Sequence, residues 1–310
     1  MRNVLTRIQR FSVRFFVVQI LAAFMRGNYI DKKILHGRLD SEKHKLAKKY
    51  LYKTYGDLIK TYEAIQDYSP INIDENLPIW IFWYQGLENM PDIIHVCVES
   101  IRKQNPNRKV IFLDKDNYCD YISLPNHILL KFKTGGIGLA HFSDCIRMSL
   151  LSERGGIWMD ATILQTSPLY DEITLYPFFS LKGAYKDNPL WTSFFVASNK
   201  GDIVTSFIRD FLFEYWKKED VAIEYLFMDD ILQLGYENVP IIRKEIEMLP
   251  DIVENEAVFR LFYVYFNKDY NVDIFNTLCN ESPVHKLSYR YEAGNKESFC
   301  NYFLNLYKKS

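Results

Sequence analysis

A helix that runs without a loop into a strand is the feature that most constrains this chain. Leu139 to Arg154 reads as an amphipathic helix, Gly155 supplies a left-handed cap, and the apolar strand IWMDATIL (Ile157 to Leu164) follows at once. Upstream, IWIFWYQG from Ile79 and KVIFLDKDN from Lys109 have the length and composition of buried strands. Between them lie a helical stretch, Met90 to Gln104, and the turn Asn105-Pro106-Asn107. Strand, helix and strand in alternation predict parallel βαβ units, so residues 71–310 are expected to form one α/β domain with a central, mostly parallel sheet flanked by helices. In open sheets of this kind ligands gather at the carboxyl ends of strands. Those ends are Trp83-Tyr84-Gln85-Gly86 and Asp114-Lys115-Asp116.

On the helix, Ala140, Asp144, Arg147 and Leu151 are spaced to share one face. A carboxylate beside a guanidinium suits a polyhydroxylated ligand, since the first accepts from hydroxyls and the second donates to hydroxyl or phosphate oxygens. The same spacing also fits an ion pair on a solvated helix. On the following strand, alternation puts Trp158, Asp160, Thr162 and Leu164 on one face. Asp160 interrupts an apolar run, and a carboxylate there is costly unless paired, hydrogen-bonded or bound to a metal. The glycines of Thr134-Gly135-Gly136-Ile137-Gly138 lack the Lys-Ser/Thr of a phosphate loop, which argues against a nucleotide triphosphatase.

The net charge of −1 hides an asymmetry. Residues 1–60 carry 14 Lys/Arg against 4 Asp/Glu, and residues 61–310 carry 24 against 35. Such a basic arm suits an anionic membrane surface, an acidic polymer or nucleic acid; with no nucleic-acid-binding fold recognisable, nucleic acid is not the expected partner. The uncharged run Phe15 to Met25 has 11 residues, too few for a spanning helix, which needs roughly 20. It has the length of a signal h-region, with Leu21-Ala22-Ala23 as a cleavage candidate, but nothing in the cysteines or the body supports export. Arg7, Arg10 and Arg14 lie on one helical face beside the apolar stripe Val4, Ile8, Phe11 and Phe15. That helix either lies in a headgroup layer or packs on the main domain. A second helix is expected from Ser41, as N-cap, towards a stop at Pro70. Its Lys43, Lys45, Lys48, Lys49 and Lys53 extend the basic patch, and its tyrosines 50, 52, 55 and 62 pack or bind. Residues 1–70 therefore read as a basic amphipathic helical extension. Five scattered cysteines without a Cys-x-x-Cys pair argue against a disulfide framework or structural zinc, and favour a reducing compartment. At 48% hydrophobic and 25% charged residues, the composition excludes disorder as the main state.

The run Ala140-x-x-Ser143-Asp144-x-x-Arg147, followed by Gly155-Gly156-Ile157-Trp158-x-Asp160-Ala161-Thr162, resembles the core of the capsular polysaccharide synthesis glycosyltransferases. It is also similar to the wider set of sugar transferases with a DXD motif, including yeast outer-chain mannosyltransferases and the glucosylating clostridial toxins. The resemblance extends from about Leu77 to Pro168, with an echo at Pro283 to Arg290. It implies a GT-A-like nucleotide-sugar-binding fold, a UDP-sugar donor, a divalent cation (Mn²⁺ or Mg²⁺) and retention at the anomeric carbon. Carried over by position, Asp144 and Arg147 would hold the donor sugar, Asp160 would belong to the metal and diphosphate site, and Phe82 and Trp83 would border the nucleotide.

Thr162 stands where the wider group has a second aspartate, and Asp-Ala-Thr is similar to the capsular group's own variant. The expected metal ligands are Asp160, Thr162, His285 and Asp230 of the Asp229-Asp230 pair, with Lys286 neutralising a phosphate. Trp191, in the stretch Asn188 to Ser198, is a candidate for sugar stacking on the acceptor side, and a helix is expected from Asp202 to Trp216. The resulting expectation is a bacterial glycosyltransferase, cytoplasmic and peripheral at the inner face of the plasma membrane. It would hold the membrane through residues 1–30 and act on an oligosaccharide or lipid-linked glycan. The alternative is a non-catalytic nucleotide- or carbohydrate-binding protein with a degraded metal site.

Overall fold

The computed structural model describes residues 10–11, 13–24, 30–182, 184, 190–251, 256–291 and 294–307. The chain divides into two compact units. The first takes in the described residues of Met1–Tyr68, Leu124–Cys145 and Ser206–Arg243; the second is Ser69–Ser123, Ile146–Thr205 and the described residues of Lys244–Ser310.

The second unit is built on a five-stranded sheet. Its strands are β1 (Ile79–Phe82), β2 (Val110–Leu113), β3 (Gly156–Met159), β5 (Phe178–Ser180) and β6 (Phe195–Ser198), in the order β2-β1-β3-β6-β5. β1 pairs in parallel with β2 and β3, and β6 lies antiparallel between β3 and β5. Four strands therefore run in one direction and one against them, the mostly parallel sheet that the alternation predicts. β1 and β3 are buried along their whole length, which is why IWIF and GIWM read as continuous apolar runs rather than alternating ones. The helix Asp92–Gln104 buries Ile93, Ile94, Cys97 and Ile101. Its Ser100 hydroxyl accepts the Gln165 backbone N–H at 3.0 Å, on β4 (Ile163–Gln165). β4 in turn pairs antiparallel with β7 (Val284–Lys286).

The helix expected before Gly155 spans Leu139–Arg154. Gly155 caps it at φ 70°, its N–H bonded to Leu151 O at 2.9 Å. Gly156 has φ 126°, and a Cβ there would lie 2.7 Å from Pro78 O and against the Trp80 indole. The indole Nε1 donates to Gly155 O at 2.8 Å. The glycine pair thus brings helix and strand together where no side chain fits.

The expected strand Ile157–Leu164 is two strands. β3 ends at Met159, Asp160 and Ile163 close a turn (Ile163 N–H to Asp160 O, 2.9 Å), and β4 leaves for a different sheet. Face alternation through Asp160 therefore does not apply. The helix expected from Asp202 is Ile203–Lys218, with Asp202 accepting the Thr205 N–H at 2.9 Å as its N-cap.

In the first unit, the helix expected to start at Ser41 runs from Ile30 to Glu63, with a non-helical Tyr55 at φ −123° and ψ 16°. Ser41 is no cap, because the preceding Asp40 turns its carboxylate to Lys43 one turn on (2.8 Å) and the chain stays helical through both. Leu51, Tyr55, Ile59 and Tyr62 form the buried stripe of this helix. Tyr55 and Tyr62 lie against Phe211 and Phe207 and are packing residues, whereas Tyr52 is exposed.

Residues 4, 7 and 8 of the expected N-terminal stripe lie outside the described residues. Phe11 and Phe15 are buried, Phe11 against Tyr50 with ring centroids 5.0 Å apart. Arg10 pairs with Glu219 and Arg14 with Glu42. The helix Val13–Phe24 leaves a different stripe, Val13, Val17, Ile20 and Leu21, exposed. The basic patch is also smaller than the sequence suggests, since Lys43 and Lys48 are paired with Glu224 and Glu237. Among the described residues no helix is long and apolar enough to cross a membrane. All five cysteines are free.

Candidate active site

Asp160 follows the last residue of β3, at the carboxyl edge of the parallel strands, and is held by its backbone N–H to Phe194 O at 2.9 Å. Three donors converge on its carboxylate. Trp158 Nε1 and Arg147 Nη2 donate to Oδ1 at 2.8 and 3.1 Å, and Lys286 Nζ donates to Oδ2 at 2.7 Å. Lys286 also donates to Thr162 Oγ1 at 2.5 Å.

Each donor arrives for a structural reason. Trp158 lies two residues back on the strand, and Arg147 projects from the helix that Gly155 and Gly156 press onto it. Lys286 ends β7, in register with Ile163 of β4. The cations are braced by rings, with the Arg147 guanidinium 4.9 Å from the Trp158 ring centre and Lys286 Nζ 5.3 Å from that of Phe194. Burial acts to raise the Asp160 pKa, but the charges of Lys286 and Arg147 outweigh it and hold the carboxyl below its usual value. Two cations, Lys286 and Arg147, meet at this carboxylate, a setting suited to a phosphate-bearing ligand.

The structure thus brings together Arg147, Asp160, Thr162 and Lys286 from the expected set, and adds Trp158 and Phe194. Asp144 lies three residues before Arg147 on the same helix, its Oδ2 3.5 Å from His141 Nδ1. Phe82 is buried against Trp158. Trp83 stands edge-on to Tyr289, and among the described residues its buried indole N–H has no hydrogen-bond partner. At the other strand end, Asp114 accepts the backbone N–H groups of Asp116 and Asn117, which makes it a turn former.

His285, Asp230 and Trp191 depart from expectation. His285 is the neighbour of Lys286 on β7 and therefore faces the opposite way. It is fully buried, its Nε2 3.2 Å from Thr166 Oγ1, and burial lowers its pKa to about 4. It is a neutral core histidine rather than a ligand beside Asp160. Asp230 is engaged instead with His44, at 2.8 Å. Trp191 is 1% exposed and is a core residue, not a stacking platform; Asn188 and Pro189 of that stretch lie outside the described residues.

These placements bear on the expected divalent cation. Both Asp160 oxygens are already engaged, Lys286 Nζ stands on Oδ2 where a cation would, and Thr162 offers only a hydroxyl. Among the described residues the single group of three or more His, Cys, Asp or Glu side chains close enough to share a metal ion does not include Asp160. The residues around Asp160 fit a divalent cation poorly and an anionic ligand well.

The chain belongs to the capsular polysaccharide synthesis protein family, whose sequence profile matches residues 26–307. It is similar to an O-glycosyltransferase, braB, of Annulohypoxylon truncatum, at 29% identity over 106 residues, 31% of this chain and 25% of that protein. It is also similar to glycosyltransferase afumC of Aspergillus fumigatus, at 31% identity over 109 residues, 32% of this chain and 28% of the other. The chain thus spans about a quarter of the length of these curated relatives. Among solved structures, PaToxG Glycosyltransferase matches with a TM-score of 0.43 at 16% identity, covering 66% of this chain and 83% of that one.

Proposed function

We propose that this chain is a glycosyltransferase that moves a sugar from a UDP-sugar to a growing surface or capsular polysaccharide. The observation that carries the reading is the Arg147–Asp160–Lys286 group, with two cations at the carboxyl edge of the sheet, in a member of a polysaccharide-synthesis family. In such a transfer the bond between the anomeric carbon and the diphosphate oxygen breaks, and negative charge develops on the leaving nucleotide. Preformed cations aimed at that charge stabilise the transition state. Lys286 and Arg147 are those cations, and Asp160 is the anchor that holds both in place. Lys286 spends two of its three N–H donors on Asp160 and Thr162 and offers the third to the phosphate. Asp144 accepts from the donor sugar's hydroxyls, and Phe82 and Trp83 border the nucleotide. Retention at the anomeric carbon is supported by the motif resemblance and is read from the product's anomeric NMR signal.

The test is UDP release from a panel of UDP-sugars, with Asp160→Ala as control, in excess EDTA and in Mn²⁺. Release that persists in EDTA and vanishes in the variant is expected. No release with any donor, or equal release from the variant, sinks the transferase reading; tight, metal-indifferent UDP binding without turnover would favour a non-catalytic binding protein. Release that needs Mn²⁺ restores the divalent cation to the mechanism.

The acceptor side of the proposal is a lipid-linked glycan at the inner face of the plasma membrane, with the protein cytoplasmic and peripheral. The exposed stripe Val13, Val17, Ile20 and Leu21 on a helix with a basic N-terminal end supports it. Flotation with anionic liposomes is expected for the wild type and not for a variant with these four residues changed to Gln. Equal flotation would refute the membrane role of this helix.

A further inference from the structure

We propose that His44, Glu224 and Asp230 form a zinc site that ties the Ile30–Glu63 helix to the Phe227–Asn238 helix and the segment before it. The group lies within the first unit and shares no residue with the group around Asp160. One donor atom from each of the three residues lies within 4.8 Å of the others. A tetrahedral zinc with ligands at about 2.0–2.2 Å sets donor atoms about 3.4 Å apart. His44 Nδ1 lies 2.8 Å from Asp230 Oδ1 and 3.9 Å from Glu224 Oε1, so the existing separations bracket that spacing.

Unsatisfied buried oxygens point independently to a ligand. Glu224 and Asp230 are each only 3% exposed, yet Glu224 Oε1 and Asp230 Oδ2 have no hydrogen-bond partner among the described residues. A buried carboxylate oxygen left this way is costly, and an ion bound by the two carboxylates would offset that cost. The surroundings also have the form of a second shell. Lys43 Nζ holds the other oxygen of Glu224 at 2.8 Å, fixing that carboxylate without covering Oε1. Asp40 Oδ2 stands 3.6 Å from His44 Nε2, on the side where a metal-bound imidazole hands its remaining N–H to a carboxylate.

Charge closes the argument. Asp40, Glu224 and Asp230 set three carboxylates against one lysine, Lys43, and the His44 imidazole. A divalent ion bound there places positive charge among the three carboxylates, and any proton on the ligating His44 nitrogen passes to solvent. An imidazole with two carboxylates favours zinc over magnesium or calcium. The partly exposed His44 ring leaves a route in and a fourth position for water.

The experiment uses the full chain carrying Asp160→Ala, so that no ion held near Asp160 is counted. It is stripped with chelator and dialysed against Zn²⁺. One zinc per chain is expected, with a raised Tm. His44→Gln and Asp230→Asn in the same background should lose that zinc, and Asp40→Asn should weaken it about 10–100-fold. Co²⁺ should give the visible absorption of a tetrahedral site, absent from both ligand variants. Should His44→Gln fail to unfold cooperatively, Asp230→Asn and the Co²⁺ spectrum carry the test. No stoichiometric zinc, or equal zinc in the ligand variants, overturns the proposal. Activity is not the readout, so failure here leaves the transferase reading standing, and failure of that reading leaves this one standing.

Discussion

Asp160 and Asp230 are both carboxylates set among cations, but their oxygens are differently used. Asp160 gives Oδ1 to Trp158 and Arg147 and Oδ2 to Lys286, so both of its oxygens are engaged. Asp230 gives Oδ1 to His44 and leaves Oδ2 unpartnered among the described residues, as Glu224 leaves Oε1. At Asp160 two cations meet one carboxylate; around Asp230, with Asp40 and Glu224, three carboxylates share one lysine and one imidazole. The first arrangement is ready to take an anion and the second to take a cation. Counting carboxylates in the sequence suggests the reverse, since the Asp-Ala-Thr stretch has the look of a metal motif. The decisive variable is which oxygens remain unused, and that depends on residues distant in sequence.

The comparison is tested hardest at Lys43, whose Nζ lies 2.8 Å from both Asp40 and Glu224. Truncating one partner of a buried pair leaves an uncompensated charge and costs about 3–5 kcal/mol. Lys43→Met is expected to lose that much in urea unfolding of the metal-free protein. Adding Glu224→Leu should return most of it, because the stranded charge is then gone. A loss below about 1 kcal/mol for the single variant, typical of surface pairs, would show that the group is not the tight buried cluster described.

Lys286 is the corresponding lever on the other side. Removing a preformed charge stabiliser costs about 10²–10³-fold in turnover, or about 2.7–4 kcal/mol. Lys286→Met is expected to fall in that range for UDP release, with Lys286→Arg recovering part of it. Unchanged turnover in Lys286→Met, together with a requirement for Mn²⁺, would make the two clusters alike after all.

Much of the frame around Asp160 is legible in the sequence, because it rests on local signals. Continuous apolar runs mark β1 and β2, and Gly155-Gly156 marks the close contact of helix and strand. A charged residue inside IWMDATIL marks Asp160. What is not legible depends on pairing between distant segments. The break after Met159 arises because β4 pairs with β7, some 120 residues on, and nothing in residues 157–164 announces it. The orientation of His285 follows from the same pairing, since a one-residue offset on a strand reverses the side chain. His44 and Glu224 carry no local signal. His44 sits in a lysine-rich helix, and its partners come from residues 224 and 230. Phe11 and Phe15 were legible as apolar, but which face of that helix is buried was decided by Tyr50, a partner from the next helix.

Proton uptake separates the clusters most gently. Burial acts to lower the His44 pKa, but its hydrogen bonds to Asp230 and Asp40 and the charges of Asp230 and Glu224 prevail and push it up to about 10. An unfolded histidine titrates near 6.5, about where the imidazole begins to lose its proton in water. Its contribution to stability is therefore fully present below pH 6.5 and is lost progressively as pH rises towards 10. The slope is at most about 1.4 kcal/mol per pH unit. Asp160 works at the opposite end. Its folded pKa is depressed, so its contribution is present above the usual carboxylate value and is lost as pH falls through the folded one. Urea unfolding of metal-free wild type, His44→Gln and Asp160→Asn across pH 3–10 reads both limbs. The His44 variant should differ in slope from wild type above pH 6.5, and the Asp160 variant below pH 4. If His44→Gln runs parallel to wild type through the alkaline limb, His44 is not held protonated by Asp230 and Asp40.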